Sequence, residues 1–142
     1  MSTRISLVLS ALVLAACSGA SPAPKGWTLA AGSNNTWVRG GGAGRQQYSY
    51  VREAYSGSLT DLASQVTVDV LTRYSGAKLQ GSVPFEPCPG LAGVARFSLR
   101  GATRLEVGFA VHDTAAVRTA YLRPAATQPD PNVTAAMQYV LC

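Results

Sequence analysis

"VARFSLRGATRLEVGFAVHDTAAVRTAYL" runs from Val94 to Leu122, and the way it doubles back decides the architecture. Three stretches, 94–100, 104–111 and 115–122, alternate between apolar and polar residues. Gly101-Ala102-Thr103 and His112-Asp113-Thr114 separate them. Alternation with a period of two marks half-buried strands, and small or turn-forming residues between them mark reversals. The stretch predicts an antiparallel meander. With Arg100 opposite Arg104, Leu99, Phe97 and Ala95 meet Leu105, Val107 and Phe109. With Val111 opposite Ala115, Phe109 meets Val117 and Leu105 meets Tyr121. One side of the meander is then continuously apolar, and a one-residue slip in either hairpin would scramble it.

Upstream, "AKLQGSVPFEP" (77–87) alternates at Leu79, Gly81, Val83 and Phe85, a further strand that stops at the prolines. Residues 59–75 carry Leu59, Leu62, Ala63, Val66, Val70 and Tyr74 at helical offsets, which form one stripe. Ser58 with Asp61 three residues on is a capping-box-like start, and Arg73 followed by Gly76 marks the stop. Downstream, Asp130-Pro131 supplies a cap and a first helical residue. Val133, Ala136, Met137, Val140 and Leu141 form the stripe of a last helix over 131–141. Before residue 58 only "QQYSYVREAY" (46–55) reads as a strand. "RGGGAGR" (39–45) lacks the Gly-Lys-Ser/Thr ending of a phosphate loop and reads as a turn. The expected fold is α+β: an antiparallel β-meander sheet covered on one face by two helices, 59–75 and 131–141. This order, with "FAVHD" (109–113) and "AYLRPA" (120–125), resembles the PsbP/Mog1-like family over residues 48–142. That resemblance implies a non-enzymatic accessory or binding protein and transfers no catalytic motif.

The N-terminus speaks to location. Arg4 precedes an uncharged apolar run from Ile5 to Ala16. As a helix it would rise about 18 Å, too short for the ~30 Å of a bilayer core, and it fits a secretory signal. Leu14-Ala15-Ala16-Cys17 resembles the lipobox of bacterial lipoproteins. The resemblance implies cleavage before Cys17 and attachment of a diacylglycerol to its thiol, with further acylation such as palmitate on the new amine. Ser18 stands where that family's inner-membrane retention Asp would be, which implies an outer membrane where the organism has one. Residues 1–16 are therefore expected to be a signal peptide and "CSGASPAPKG" (17–26) a flexible tether from the membrane. Residues 27–142 are expected to form one domain.

Removing Arg4 lowers the formal charge from +5 to +4, almost all of it from arginine. That mild excess suits an anionic polymer or an acidic protein of the envelope, and the absence of basic runs argues against nucleic acid. With Cys17 acylated, Cys88 and Cys142 remain. Exported thiols meet an oxidising environment and pair, closing a loop of roughly 55 residues worth about 4 kcal/mol in the chain-entropy model. The rival reading of Cys88 in "PCPG" is a reactive thiol. Two cysteines and one histidine do not suggest a metal site, and no cofactor is indicated.

Two chemical readings remain. His112 beside Asp113 is the catalytic one, a small envelope hydrolase, although no Gly-x-Ser-x-Gly or other marked nucleophile accompanies it. The other is a non-enzymatic binding face. In the expected register Arg96 and Arg118 flank Gly108 on the outer side of the meander, with Arg100 at its end. Gly108 would leave a dip where two guanidinium groups could grip a carboxylate or phosphate. Trp27, Trp37, Tyr48 and Tyr50 could form an aromatic patch for glycans or simply pack.

Overall fold

All five expected strands form, and the chain adds two short ones before residue 40. The computed structural model describes residues 21–142, so the signal-peptide reading, Cys17 and the start of the tether lie outside the described residues. In chain order come β1 (Thr28–Leu29), β2 (Thr36–Arg39), β3 (Gln46–Ala54), α1 (Leu59–Arg73), β4 (Lys78–Pro84), β5 (Ala92–Leu99), β6 (Thr103–His112), β7 (Ala115–Pro124) and α2 (Pro131–Leu141). The strands make one antiparallel sheet in the order β1-β2-β3-β7-β6-β5-β4. The fold class is α+β, as the alternation implied. No helix among the described residues is long and apolar enough to cross a membrane.

The helix ends follow their sequence signals. The Ser58 hydroxyl accepts from the Asp61 N–H, and Asp130 caps α2 by accepting from the Asn132 N–H with Pro131 behind it. The glycine stretch after β2 is a single 3-10 turn, Gly42–Gly44, leading into β3.

Where the helices lie differs from expectation, and the cause is one turn. His112 pairs with Ala115, so Asp113 and Thr114 alone make the reversal, and Asp113 takes a left-handed φ of 55°. Asp tolerates that conformation better than most residues, which permits the tighter turn. Compared with Val111 opposite Ala115, the register moves by one residue and β7 turns over. Phe109 therefore meets Arg118, and Gly108 meets Thr119. At the other hairpin Ser98 meets Arg104, a shift of two that leaves the faces unchanged.

With β7 inverted, both sides of the sheet are apolar. Leu105, Val107, Phe109, Ala95, Phe97 and Ala116 pack with Leu62, Val66 and Val70 of α1. On the other side Val94, Ala110, Val117 and Tyr121 pack with Val133, Ala136, Met137 and Leu141 of α2. The expectation that both helices cover one face is thus corrected: each covers its own. Gly108 lies under α2, where an added Cβ would sit 2.7 Å from Leu141 Cδ1 and 3.0 Å from Met137 Cε, so glycine lets the helix approach.

The sulfurs of Cys88 and Cys142 stand at disulfide bonding distance, tying the end of α2 to the loop before β5. The folded part also begins before Trp27. Pro24 is buried and Ala23 packs on the α2-side core, so the tether ends earlier than residue 26. Short apolar groups there gain from joining that core what a purely solvated linker would forgo.

Candidate binding clefts

Each helix covers only part of its face, which leaves two depressions at diagonally opposite corners of the sheet. On the α1 side, α1 packs over β4, β5 and β6 but stops short of β3. The uncovered strip between α1, β7 and β3 is a cleft of about 350 Å³. Small side chains, Ser49 on β3 and Ala120 on β7, keep it open. On the α2 side, α2 packs over β6 and β7. There the strip between α2, β5 and the proline-bearing loop after β4 is a groove of about 610 Å³.

The four residues proposed for the strand face are not brought together. Arg96 pairs with Glu106 and leaves β5 on the α2 side, whereas Arg118 pairs with Phe109 and leaves β7 on the α1 side. Gly108, expected as a dip between them, is filled over by Met137 and Leu141. Arg100 sits in the β5–β6 reversal, its side chain lying over Gly76 where α1 has ended. The two-arginine clamp is therefore corrected, and its physical reason is the inverted β7.

Arg118 enters the α1-side cleft. Its Nη1 donates to Asp69 Oδ2 at 2.6 Å, and its Nε lies 3.0 Å from Glu53 Oε1. That Nε–H is buried and nevertheless lacks a hydrogen-bond acceptor, because the Glu53 oxygen lies off the N–H direction. Arg73, exposed in the last turn of α1, lines the same cleft and has no ion pair with a described residue.

Arg96 lines the α2-side groove, together with Val83, Phe85, Val94 and Met137. It is 51% exposed and only 3.8 Å from Glu106 Oε1. The same oxygen accepts from Arg123 Nη1 at 3.1 Å, and the Arg123 side chain is 7% exposed. Glu106 is thus committed to the buried guanidinium, and Arg96 keeps most of its charge free. Glu86 stands on the opposite, loop wall. Pro84, Pro87 and Pro89, with Cys88 tied to Cys142, fix that wall.

Sequence reasoning missed a third cluster. Asp130, foreseen only as a helix cap, accepts from Trp27 Nε1 at 3.0 Å and from Arg39 Nη1 at 2.5 Å. Burial pushes its carboxyl up. The hydrogen bonds from Trp27, the Asn132 N–H and Arg39, with the Arg39 charge, outweigh burial and hold it below the ordinary carboxylate value. The Tyr121 hydroxyl accepts from the Asp130 N–H and donates to Gln46. No local pattern announces this cluster, since its members lie up to 103 residues apart.

The remaining candidates resolve into packing. Trp37 stacks on Tyr50 and Tyr48 with ring centroids 5.9 and 6.1 Å apart, and Trp27 meets Tyr121 edge to face. These aromatics form core and hairpin contacts and not an open patch. His112 closes β6 and Asp113 turns the chain, so the turn accounts for both. No group of three metal-ligating side chains occurs among the described residues.

No family model and no curated protein matches the chain. Among solved structures, a Pseudomonas aeruginosa protein of unknown function is similar, with a TM-score of 0.49 and 14% identity. The match covers 73% of this chain and 90% of that one. That protein is described as a candidate regulator, and the likeness is too slight to transfer a function.

Proposed function

We propose that the protein is a lipid-anchored binding module of the bacterial cell envelope, held at the membrane by Cys17 and recognising an acidic segment of an envelope partner at the α2-side groove. The observation that carries the recognition half is Arg96. It is half exposed over an apolar groove, and the carboxylate beside it is already held by buried Arg123. A free guanidinium above Val83, Phe85, Val94 and Met137 favours a ligand with a carboxylate next to apolar groups. The anchoring half rests on the Leu14-Ala15-Ala16-Cys17 motif and the apolar run before it. Two or three acyl chains hold a protein firmly to a bilayer, where one holds it only marginally.

A two-part experiment tests this reading. Expressed in a bacterium fed labelled palmitate, the wild-type chain takes up label and sediments with membranes, and Cys17→Ser does neither. Cross-linking in the intact envelope then compares wild type with Arg96→Glu, for which the partner adduct disappears. Label on Cys17→Ser, or the same adducts from Arg96→Glu, would refute the corresponding half.

A further inference from the structure

We propose that the cleft between α1 and β3 is a second site, independent of the α2-side groove, for a small zwitterion with an apolar body: an apolar α-amino acid or the termini of a very short peptide. Its volume, about 350 Å³, is at the small end of the roughly 300–1,000 Å³ typical of small-molecule sites. Its floor is Val66 and Val70 from α1 with Leu105 and Val107 from β6. These side chains already exclude water, so the gain on binding comes from the ligand's own apolar body leaving water for an apolar floor.

The rim fixes the class of head group. It holds two carboxylates, Glu53 and Asp69, and two guanidinium groups, Arg73 and Arg118. The two carboxylates share the single guanidinium of Arg118, which leaves negative charge in excess at that point. Both acids are about half exposed, so either can turn toward an incoming ammonium. Arg73 lacks an ionic partner among the described residues, and the Arg118 Nε–H, misaligned with the Glu53 oxygen 3.0 Å away, is released when that acid turns to an ammonium. Those two donors call for a carboxylate. A ligand with only one sign of charge satisfies half of the rim and leaves the other half as it stands. A zwitterion satisfies both and adds no net charge to the cleft.

Calorimetric titration of the full chain with four probes tests the assignment. L-Leucine carries both charges, L-leucinamide only the ammonium and 4-methylpentanoate only the carboxylate. L-Leucyl-L-leucine carries both charges on a longer body. Leucine or the dipeptide is expected to bind in the millimolar range or better, and each singly charged analogue at least about tenfold more weakly. Tighter binding of the dipeptide assigns the site to peptide termini, and tighter binding of leucine assigns it to the free amino acid. Arg73→Gln, an exposed change that leaves the fold intact, is expected to weaken the zwitterion about tenfold, and Arg118→Gln at least as much. Arg96→Gln, on the opposite face, leaves it unchanged, so loss of the groove reading and loss of this one are separately visible. Absence of binding by both zwitterions at about 10 mM, equal binding of a singly charged analogue, or insensitivity to Arg73→Gln overturns the proposal.

Discussion

The two faces of this sheet solve the same covering problem with different materials. On one, α1 spreads across three strands and its edge is held by exposed or half-exposed charges, Asp69 and Glu53 on Arg118. On the other, a shorter α2 is pinned at both ends. Asp130 ties its start to Trp27 and Arg39, and Cys142 ties its finish to Cys88. The contrast teaches where rigidity is needed. A long helix with a full stripe is held chiefly by packing, whereas an eleven-residue helix gains much from fixed ends. It also explains why the two depressions differ. The α1-side cleft has a charged, adjustable rim, and the α2-side groove has apolar walls set by prolines and the cysteine pair.

The largest expected effects break one face at a time. Reducing the Cys88–Cys142 pair removes a loop constraint worth about 4 kcal/mol, and chemical denaturation of oxidised against reduced protein measures it. Val66→Ala and Val133→Ala, both in fully buried positions on opposite faces, each cost about 2 kcal/mol. Their double variant is additive within about 0.5 kcal/mol, because no shared cavity couples them. Marked non-additivity would mean that the helices touch one another.

Next in size is the cluster at the start of α2. Asp130 is held below its ordinary value of 3.8, so the native state favours its ionised form more than the unfolded chain does. The sign follows: this stability is present above pH ~4 and is lost as pH falls through the lowered value. Asp130→Asn removes that acid-side loss and costs about 1–2 kcal/mol at neutral pH. Thermal melting of both proteins between pH 3 and 7 shows the two curves converging at the acid end. If the curves remain parallel, the cluster does not titrate as described.

The smallest effect has the opposite sign. Tyr48 is fully buried against Trp37, and its hydroxyl has no hydrogen-bond partner. Burial, with Tyr50 second, holds the phenol well above its ordinary value. Tyr48→Phe deletes the unsatisfied group and keeps the ring, so stability is unchanged or rises by up to about 1 kcal/mol. A loss beyond that in urea denaturation would show that the hydroxyl has a partner.

Much of the architecture was legible because each element carried its own punctuation. Ser58, Asp61 and Arg73 bracket α1, Asp130-Pro131 opens α2, and the alternation from 94 to 122 gives three strands. What could not be read was which side of β7 faces which helix. Ala115, Ala116, Val117, Ala120, Tyr121 and Leu122 leave it apolar on both sides, so period-two alternation does not choose a face. Turn length chooses, and His112-Asp113-Thr114 permits two residues or three. From that single ambiguity followed both the helices placed on one face and the pairing of Arg96 with Arg118. The cluster around Asp130 was illegible for another reason: its partners are distant in sequence, and each has an ordinary local role.

The inverted β7 is what places the helices on opposite faces and separates the two clefts. Methyl NOEs in a selectively labelled sample test it most directly. The Met137 methyl should reach the Gly108 α-protons, and the Val66 methyls those of Leu105 and Val107, with no residue of β6 seen from both helices. Contacts from Met137 to Val107 or Phe109 would put α2 on the same side as α1 and contradict the account.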